Sequence, residues 1–274
     1  MVRDYLERQC FLGPNSDEQL ASSTVAIVGL CGGGSPIAQQ LAHIGVGHFR
    51  LFDHDRADDT NRNRMIGLRP HHVKRRMRKT HVIRDLILGI NPNADVQVFP
   101  RLWTEEAQHL RDCDAVFGCV DTFTVREQLE RYARRFLIPY IDVGMDVLGD
   151  NGRFFIVGQS ILSLPRRPCM RCMSFIDETV LAREARDYGA AGGRPQVVWP
   201  NGALASFAVA QFMSLVTPWN PELAMPLYIE YDGNRLIAAP SRRLEFVPVE
   251  CPHYPSDGVG DAFWHISEGA DSTS

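Results

Sequence analysis

The chain has 274 residues, with 29 basic and 33 acidic side chains, 45% hydrophobic residues and a formal net charge of −4. This length can bury one large core or two small ones, and the composition is neither disordered nor fibrous. The mild acidity argues against a general electrostatic role on nucleic acid or an anionic membrane, and no apolar run reaches the roughly 18 to 20 residues of a membrane span.

The start, Met1-Val2-Arg3-Asp4-Tyr5, mixes charges without an apolar core, which is not the pattern of a signal peptide. Seven cysteines are too sparse and too odd in number for a secreted disulfide scaffold, so the cytoplasm is the expected compartment. Lys74 and Lys79 are the only lysines, so 27 of the 29 basic residues are arginine and each lysine carries unusual weight.

Taken in order, an apolar strand Val25-Ala26-Ile27-Val28 runs into Gly29-Leu30-Cys31-Gly32-Gly33-Gly34, and a helix is expected over Pro36 to Ile44. The strand His48 to Phe52 ends at Asp53, completing one βαβ unit. An arginine-rich loop follows, then a helix expected from Val73 to Gly89 and closed by Asn91-Pro92. A strand at Val96–Phe99 precedes a helix near Thr104–Leu110; Asp114–Val120 reads as a buried parallel strand carrying Asp121 at its end. A helix over Val125–Phe136 leads to a strand at Pro139–Val143.

Beyond Gly144 the pattern changes. Gly152–Leu164 alternates like an antiparallel meander, Arg167–Arg194 holds a CxxC and then a charged stretch expected to be mobile, and Val197–Val216 holds a long apolar helix. Tyr228–Glu245 reads as a hairpin turning at Asp232-Gly233-Asn234. The expected fold is α/β and Rossmann-like: a mostly parallel sheet with helices on both faces, extended by antiparallel strands in the C-terminal half. One continuous domain is expected: an arm (1–24), a nucleotide-binding half (25–144), a C-terminal half (145–258) and a disordered tail (259–274).

A glycine turn after a first strand brings backbone N–H groups and a helix N-terminus against phosphate. Asp53, 20 residues after Gly33, places a carboxylate where a ribose hydroxyl would sit. Asp55, Asn61, Arg64 and Lys79 follow, and polar and cationic groups converging beside such a turn suit a triphosphate better than a dinucleotide. A carboxylate at a strand's C-terminal end, Asp121, is a natural magnesium ligand. Arg69, Arg75, Arg76 and Arg78 read as a solvated basic face, and His71, His72 and His81 as solvated helix residues. Cys10, Cys113 and Cys119 read as structural.

These motifs, in this order, resemble the ThiF/MoeB/HesA adenylyltransferases, relatives of ubiquitin-activating enzymes. Gly29-Leu30-Cys31-Gly32-Gly33-Gly34-Ser35 is similar to their glycine loop, Leu51–Asp55 to their acidic strand end and Asn61-Arg62-Asn63-Arg64 to their Asn-x-x-Arg element. Lys79, eleven residues before Ile90, matches their lysine; Val120-Asp121 followed by Arg126 resembles their metal-binding segment. Arg8-Gln9 resembles an Arg-Gln start whose arginine reaches into the partner subunit, and Cys169-Met170-Arg171-Cys172 the first half of a structural zinc site.

The resemblance implies an adenylation domain that binds ATP and magnesium. Gly29, Gly32 and Gly34 would lie at the phosphates and Asp53 at the ribose; Asn61, Arg64 and Lys79 would cradle the triphosphate and Asp121 would hold the metal. The carboxylate of a ubiquitin-like or sulfur-carrier protein would attack the α-phosphate, with Arg8 supplied across a homodimer. No nucleic acid and no membrane enters this chemistry.

Three departures qualify it. Cys31 replaces a family glycine and reads as a buried apolar filler. Val197–Gly202, where some relatives carry a thioester-forming cysteine, has none. In Cys251-Pro252-His253-Tyr254, tyrosine stands at the fourth zinc-ligand position, leaving His253 to complete a Cys₃His set or a three-ligand, degenerate site. A relative that binds a ubiquitin-like partner without turnover is the alternative reading. A Rossmann dehydrogenase is set aside, because it has no use for the Asn/Arg/Lys loop.

Overall fold

The computed structural model describes residues 4–150, 152–186, 195–220 and 225–254. The expected tail, 259–274, and the end of the charged stretch, 187–194, lie outside the described residues.

A 3-10 segment (Asp4–Leu12) and helix α1 (Ser16–Ser22) precede strand β1 (Thr24–Val28). Helix α2 (Gly34–His43), β2 (His48–Phe52), α3 (Pro70–Lys74), α4 (Lys79–Ile90), β3 (Asp95–Phe99) and β4 (Ala115–Gly118) follow. Next come α5 (Phe123–Arg135), β5 (Tyr140–Asp150), β6 (Arg153–Ser163), α6 (Glu178–Arg186), α7 (Val198–Val216), β7 (Tyr228–Asp232) and β8 (Ile237–Pro240).

One sheet runs through both halves of the chain in the order β3-β2-β1-β4-β5-β6-β7-β8. β3 to β5 are parallel, whereas β6, β7 and β8 each join antiparallel to the strand before. β1 is apolar at successive positions because both of its faces are covered. Val25 and Ile27 pack in one core with Leu41 of α2, Ile83 of α4 and Phe212 of α7. Ala26 and Val28 pack in the other with Trp103, Leu129 of α5 and Met170. Strand order reverses between β1 and β4, and in such sheets the crevice beyond the strands' C-terminal ends at this point takes the ligand. The fold is the expected Rossmann-like α/β architecture.

Several expectations are corrected. The helix expected over Val73–Gly89 is broken: α3 ends at Lys74, Arg76 takes φ 47°, and α4 starts afresh at Lys79. The break follows from pairing with the loop after β2, since Ala57 N donates to Met77 O at 2.7 Å and Lys79 N to Asp55 O at 3.1 Å. The Trp103–Leu110 segment is 3-10 and kinked at Glu106. β5 extends to Asp150 because β6 pairs with its whole length. His72 is buried, with Nδ1 accepting from Arg69 N at 3.2 Å, and Cys10 is exposed.

Candidate active site

Beyond the C-terminal ends of β1, β2 and β4 lies a cavity of about 720 Å³. Gly29, Gly32, Asp53, Asp55, Asn61, Arg64, Lys79 and Asp121 all line it, so the residues singled out at four separate places in the sequence meet. Gly34 stands just behind, in the first turn of α2. Arg8 is exposed on the N-terminal segment and is not part of this lining.

Gly29 and Gly34 are required by close approach to backbone. Gly29 has φ 88°, and a Cβ there would strike the Cys119 carbonyl; one on Gly34 would strike the Gly29 carbonyl. One on Gly32 would meet Asn201 Nδ2 at 2.7 Å. This compact turn delivers the chain into α2, which opens on Gly33 without a side-chain cap. The partial positive charge of that helix start therefore faces the cavity.

Asp53 closes β2 and is buried, yet both oxygens already accept: Oδ2 from Leu30 N at 2.9 Å and Oδ1 from Asp55 N at 2.8 Å. A carboxylate has about four acceptor positions, so those two bonds orient it and leave capacity for hydroxyl donors. Asn61 is buried in a 3-10 turn where its Oδ1 accepts from Asp58 N at 3.1 Å, which leaves the amide Nδ2 as its donor. Arg64 donates to Thr60 O at 2.6 Å and Asn63 Oδ1 at 3.0 Å, while its buried Nε has no hydrogen-bond partner. A buried unpartnered guanidinium donor is costly unless an anion arrives to use it.

Lys79 opens α4 and its Nζ donates to Asp55 Oδ2 at 2.8 Å. Burial acts to lower its pKa, but the charge of Asp53 and the Asp55 hydrogen bond outweigh this and raise it, so the ammonium stays charged. Asp121 follows β4 and is exposed at the cavity. Magnesium is commonly held by one or two carboxylates plus substrate phosphates, so a single carboxylate facing this cavity could hold that ion if a phosphate-bearing ligand occupied it.

Cys31 is half-buried: it packs against the core, as expected of an apolar filler, and also lines the same cavity. Burial raises its thiol, Lys79 and Arg64 pull it down, and Asp53 and Asp121 push it up, so one side chain senses all four charged groups. Cys119 is likewise raised by burial. Neither has the activated thiolate that a nucleophilic cysteine needs.

Sequence reasoning named Arg126 after Asp121 but missed the buried pair that makes the floor. Arg126, from the first turn of α5, is buried against Asp142 of β5, whose Oδ1 accepts from Tyr140 Oη at 3.0 Å. A carboxylate inside an otherwise apolar strand was the available signal.

On the other side of α5, Cys169, Cys172, Cys251 and His253 converge, with one ligand atom from each within 4.8 Å of the others. The Cys169–Cys172 and Cys172–Cys251 sulfurs are 3.6 and 3.7 Å apart, and His253 Nδ1 lies 3.3 and 3.4 Å from the first two sulfurs. A tetrahedral zinc with 2.3 Å thiolate bonds has S···S edges of about 3.8 Å and S···N edges of about 3.6 Å, so the set fits zinc. Tyr254 does not join it: its hydroxyl points at Glu130 Oε2, 3.5 Å away, and its ring lies under Arg134.

The "Ubiquitin-like modifier-activating enzyme 5" of Caenorhabditis briggsae is 25% identical over 203 residues, covering 67% of this chain and 42% of that protein. The "Adenylyltransferase and sulfurtransferase MOCS3" of Drosophila virilis is 31% identical over 164 residues, covering 59% and 34%. The chain thus spans less than half the length of these curated relatives. Among solved structures, Escherichia coli MccB with ATP superposes with a TM-score of 0.71 at 19% identity, covering 88% of this chain and 71% of that one. PaaA superposes with a TM-score of 0.66 at 22% identity, covering 86% and 81%. With residues 6–251 matching the family as a whole, the chain is a member of the ThiF family.

Proposed function

We propose that this chain is an ATP-dependent adenylyltransferase that activates the C-terminal carboxylate of a ubiquitin-like or sulfur-carrier protein. The observation that carries this reading is the single cavity uniting the glycine turn, Asp53, Asn61, Arg64, Lys79 and Asp121. The names of relatives, a modifier-activating enzyme and an adenylyltransferase, point the same way.

In this reading the glycine-turn amides and the start of α2 receive the phosphates, and Asp53 accepts from the ribose. Asn61, Arg64 and Lys79 neutralise the triphosphate, with the unpartnered Nε of Arg64 finding an acceptor there. Asp121 holds magnesium, which supplies charge neutralisation at the phosphates. A carboxylate oxygen of the carrier forms a bond to the α-phosphorus as the bond to the bridging oxygen breaks. The products are an acyl-adenylate and pyrophosphate, and the protein contributes mainly position and charge. Arg8 of a second copy completes the site in a homodimer, a role suited to an exposed arginine remote from its own chain's cavity. The Cys₃His cluster holds a structural zinc that ties the 169–172 turn to 251–253.

With the cavity cysteines Cys31 and Cys119 both raised by burial, the adenylate passes to an external sulfur donor or amine without a conventional catalytic cysteine. None of the seven cysteines is in a disulfide, which suits a reducing cytoplasm. The arm, nucleotide-binding half and C-terminal half act as one adenylation domain.

The decisive experiment is ATP–pyrophosphate exchange with candidate carriers ending in Gly-Gly. Exchange that Asp121→Ala abolishes, in a protein that stays folded by circular dichroism, supports the assignment; exchange retained by the variant defeats it. Cys31, a side chain inside the glycine turn, favours a second reading as a non-catalytic binder of a ubiquitin-like partner. Calorimetry separates the two: carrier binding with no heat from MgATP selects the second.

A further inference from the structure

Helix α6 contains no fully buried residue; half-buried Leu181 packs against the second core, and polar clamps hold both ends of the helix to α5. At one end Arg171 bridges the two helices, pairing with Glu127 of α5 and with Glu178 of α6 at 2.6 Å. At the other, Glu184 reaches the opening turn of α5: one carboxylate oxygen accepts from Phe123 N at 2.7 Å, the other from Thr124 N at 2.9 Å and Thr124 Oγ1 at 2.7 Å. With Thr122 Oγ1 accepting from Val125 N at 3.3 Å, the first three N–H groups of α5 all find side-chain acceptors. Two of those bonds come from a residue about 60 positions later in the chain.

Asp121 and Thr122 immediately precede this turn and both line the cavity. The placement of the first turn of α5 therefore sets where the Asp121 carboxylate stands. Arg171 lies inside the Cys169–Cys172 turn, so a continuous run of contacts leads from the Cys/His cluster through α6 and Glu184 to Asp121.

We propose that α6 is a strap and Glu184 a positioning residue for the divalent cation: it fixes the N-terminus of α5, and through it the carboxylate of Asp121. The proposal rests on Asp121 as the cation ligand in the reading above. Groups that hold a ligand from behind commonly cost ten- to hundred-fold in metal affinity when removed.

The test uses the full chain with a non-hydrolysable ATP analogue and Mn²⁺, whose binding is followed by electron paramagnetic resonance. Glu184→Ala should weaken Mn²⁺ binding about ten-fold, leave the analogue's metal-free affinity unchanged and speed amide exchange at Phe123 and Thr124. Glu184→Gln, which keeps one carbonyl acceptor, should recover part of the loss. Unchanged Mn²⁺ affinity in Glu184→Ala, with Asp121→Ala losing it, overturns the proposal and spares the functional reading. Equal loss of metal and metal-free nucleotide binding in both Glu184 variants overturns it as mere structural damage. Mn²⁺ affinity unaffected by Asp121→Ala removes the functional reading itself.

Discussion

The ammonium of Lys79 lies 2.8 Å from Asp55 Oδ2, but the pair is lopsided: the lysine side chain is 8% exposed and the aspartate 51%. The cation is sequestered at the cavity wall and its counter-ion faces water. Burial alone would raise the Asp55 carboxyl; the Lys79 hydrogen bond and charge overcome this and hold it below its ordinary value. In the proposed reading, an incoming phosphate would thus meet a lysine already charged, oriented and largely stripped of water.

Lys79→Met should therefore lose nucleotide affinity by about 1.5 to 3 kcal/mol, the range for a hydrogen bond to a charged group. Titration calorimetry measures it. The pH dependence has a definite sign. The raised Lys79 contributes stability that is complete below the ordinary value of 10.5 and lost as pH climbs through the folded value. The lowered Asp55 contributes stability present above 3.8 and lost as pH falls through its folded value. Between those limits the pair stays ionised, so it should impose no inflection on nucleotide affinity at neutral pH. An inflection near neutrality that Lys79→Met removes would contradict this account.

Breaking the floor of the cavity should be far more damaging than breaking its rim. Asp142 is fully buried, and Arg126 retains 9% of its side-chain exposure. Asp142→Leu strands a buried guanidinium and should cost about 3 to 5 kcal/mol in denaturant unfolding. Adding Arg126→Met removes the stranded charge, so the double variant should be more stable than Asp142→Leu alone. Additive losses would mean that the pair is not a coupled unit.

Much of this site was legible because its parts are local in sequence. The β1–glycine turn–α2 unit and Asp53 occupy one βαβ stretch, and hydrophobic periodicity sets where strand and helix exchange. The CxxC, being a short spacing, is legible in the same way. What stayed hidden depends on contacts between distant segments. The break between α3 and α4 arises from backbone pairing of Ala57 with Met77, which helical periodicity in 73–89 cannot report. His72 is buried, on a stretch that otherwise reads as solvated. Glu184 looks like any exposed helical glutamate until α6 is laid against α5.

The Cys/His cluster should bind one zinc per chain, measured by elemental analysis, and chelation should lower the melting temperature. His253→Ala should reduce zinc retention, whereas Tyr254→Phe should preserve it, because the tyrosine points away from the cluster toward Glu130. Binding requires the three thiols to ionise and the imidazole to be neutral, so zinc uptake should release protons and weaken steeply as pH falls. Equal zinc content in His253→Ala and wild type would exclude the histidine as a ligand.

Cys31 offers the sharpest test of where the phosphates lie. Its side chain lines the cavity beside Gly32, in a turn that on the proposed reading would reach the phosphates through backbone groups, and glycine is the residue that best permits such approach. Cys31→Gly should tighten MgATP binding several-fold, while the freer backbone costs about 0.5 to 1 kcal/mol of folding stability. The two effects oppose each other in a melting experiment without nucleotide, so affinity must be read directly by calorimetry. In wild type, MgATP should protect Cys31 from iodoacetamide while leaving the exposed Cys10 fully reactive, which peptide mass mapping resolves. Alkylation of Cys31 at the same rate with and without saturating MgATP would put the phosphates elsewhere in the cavity.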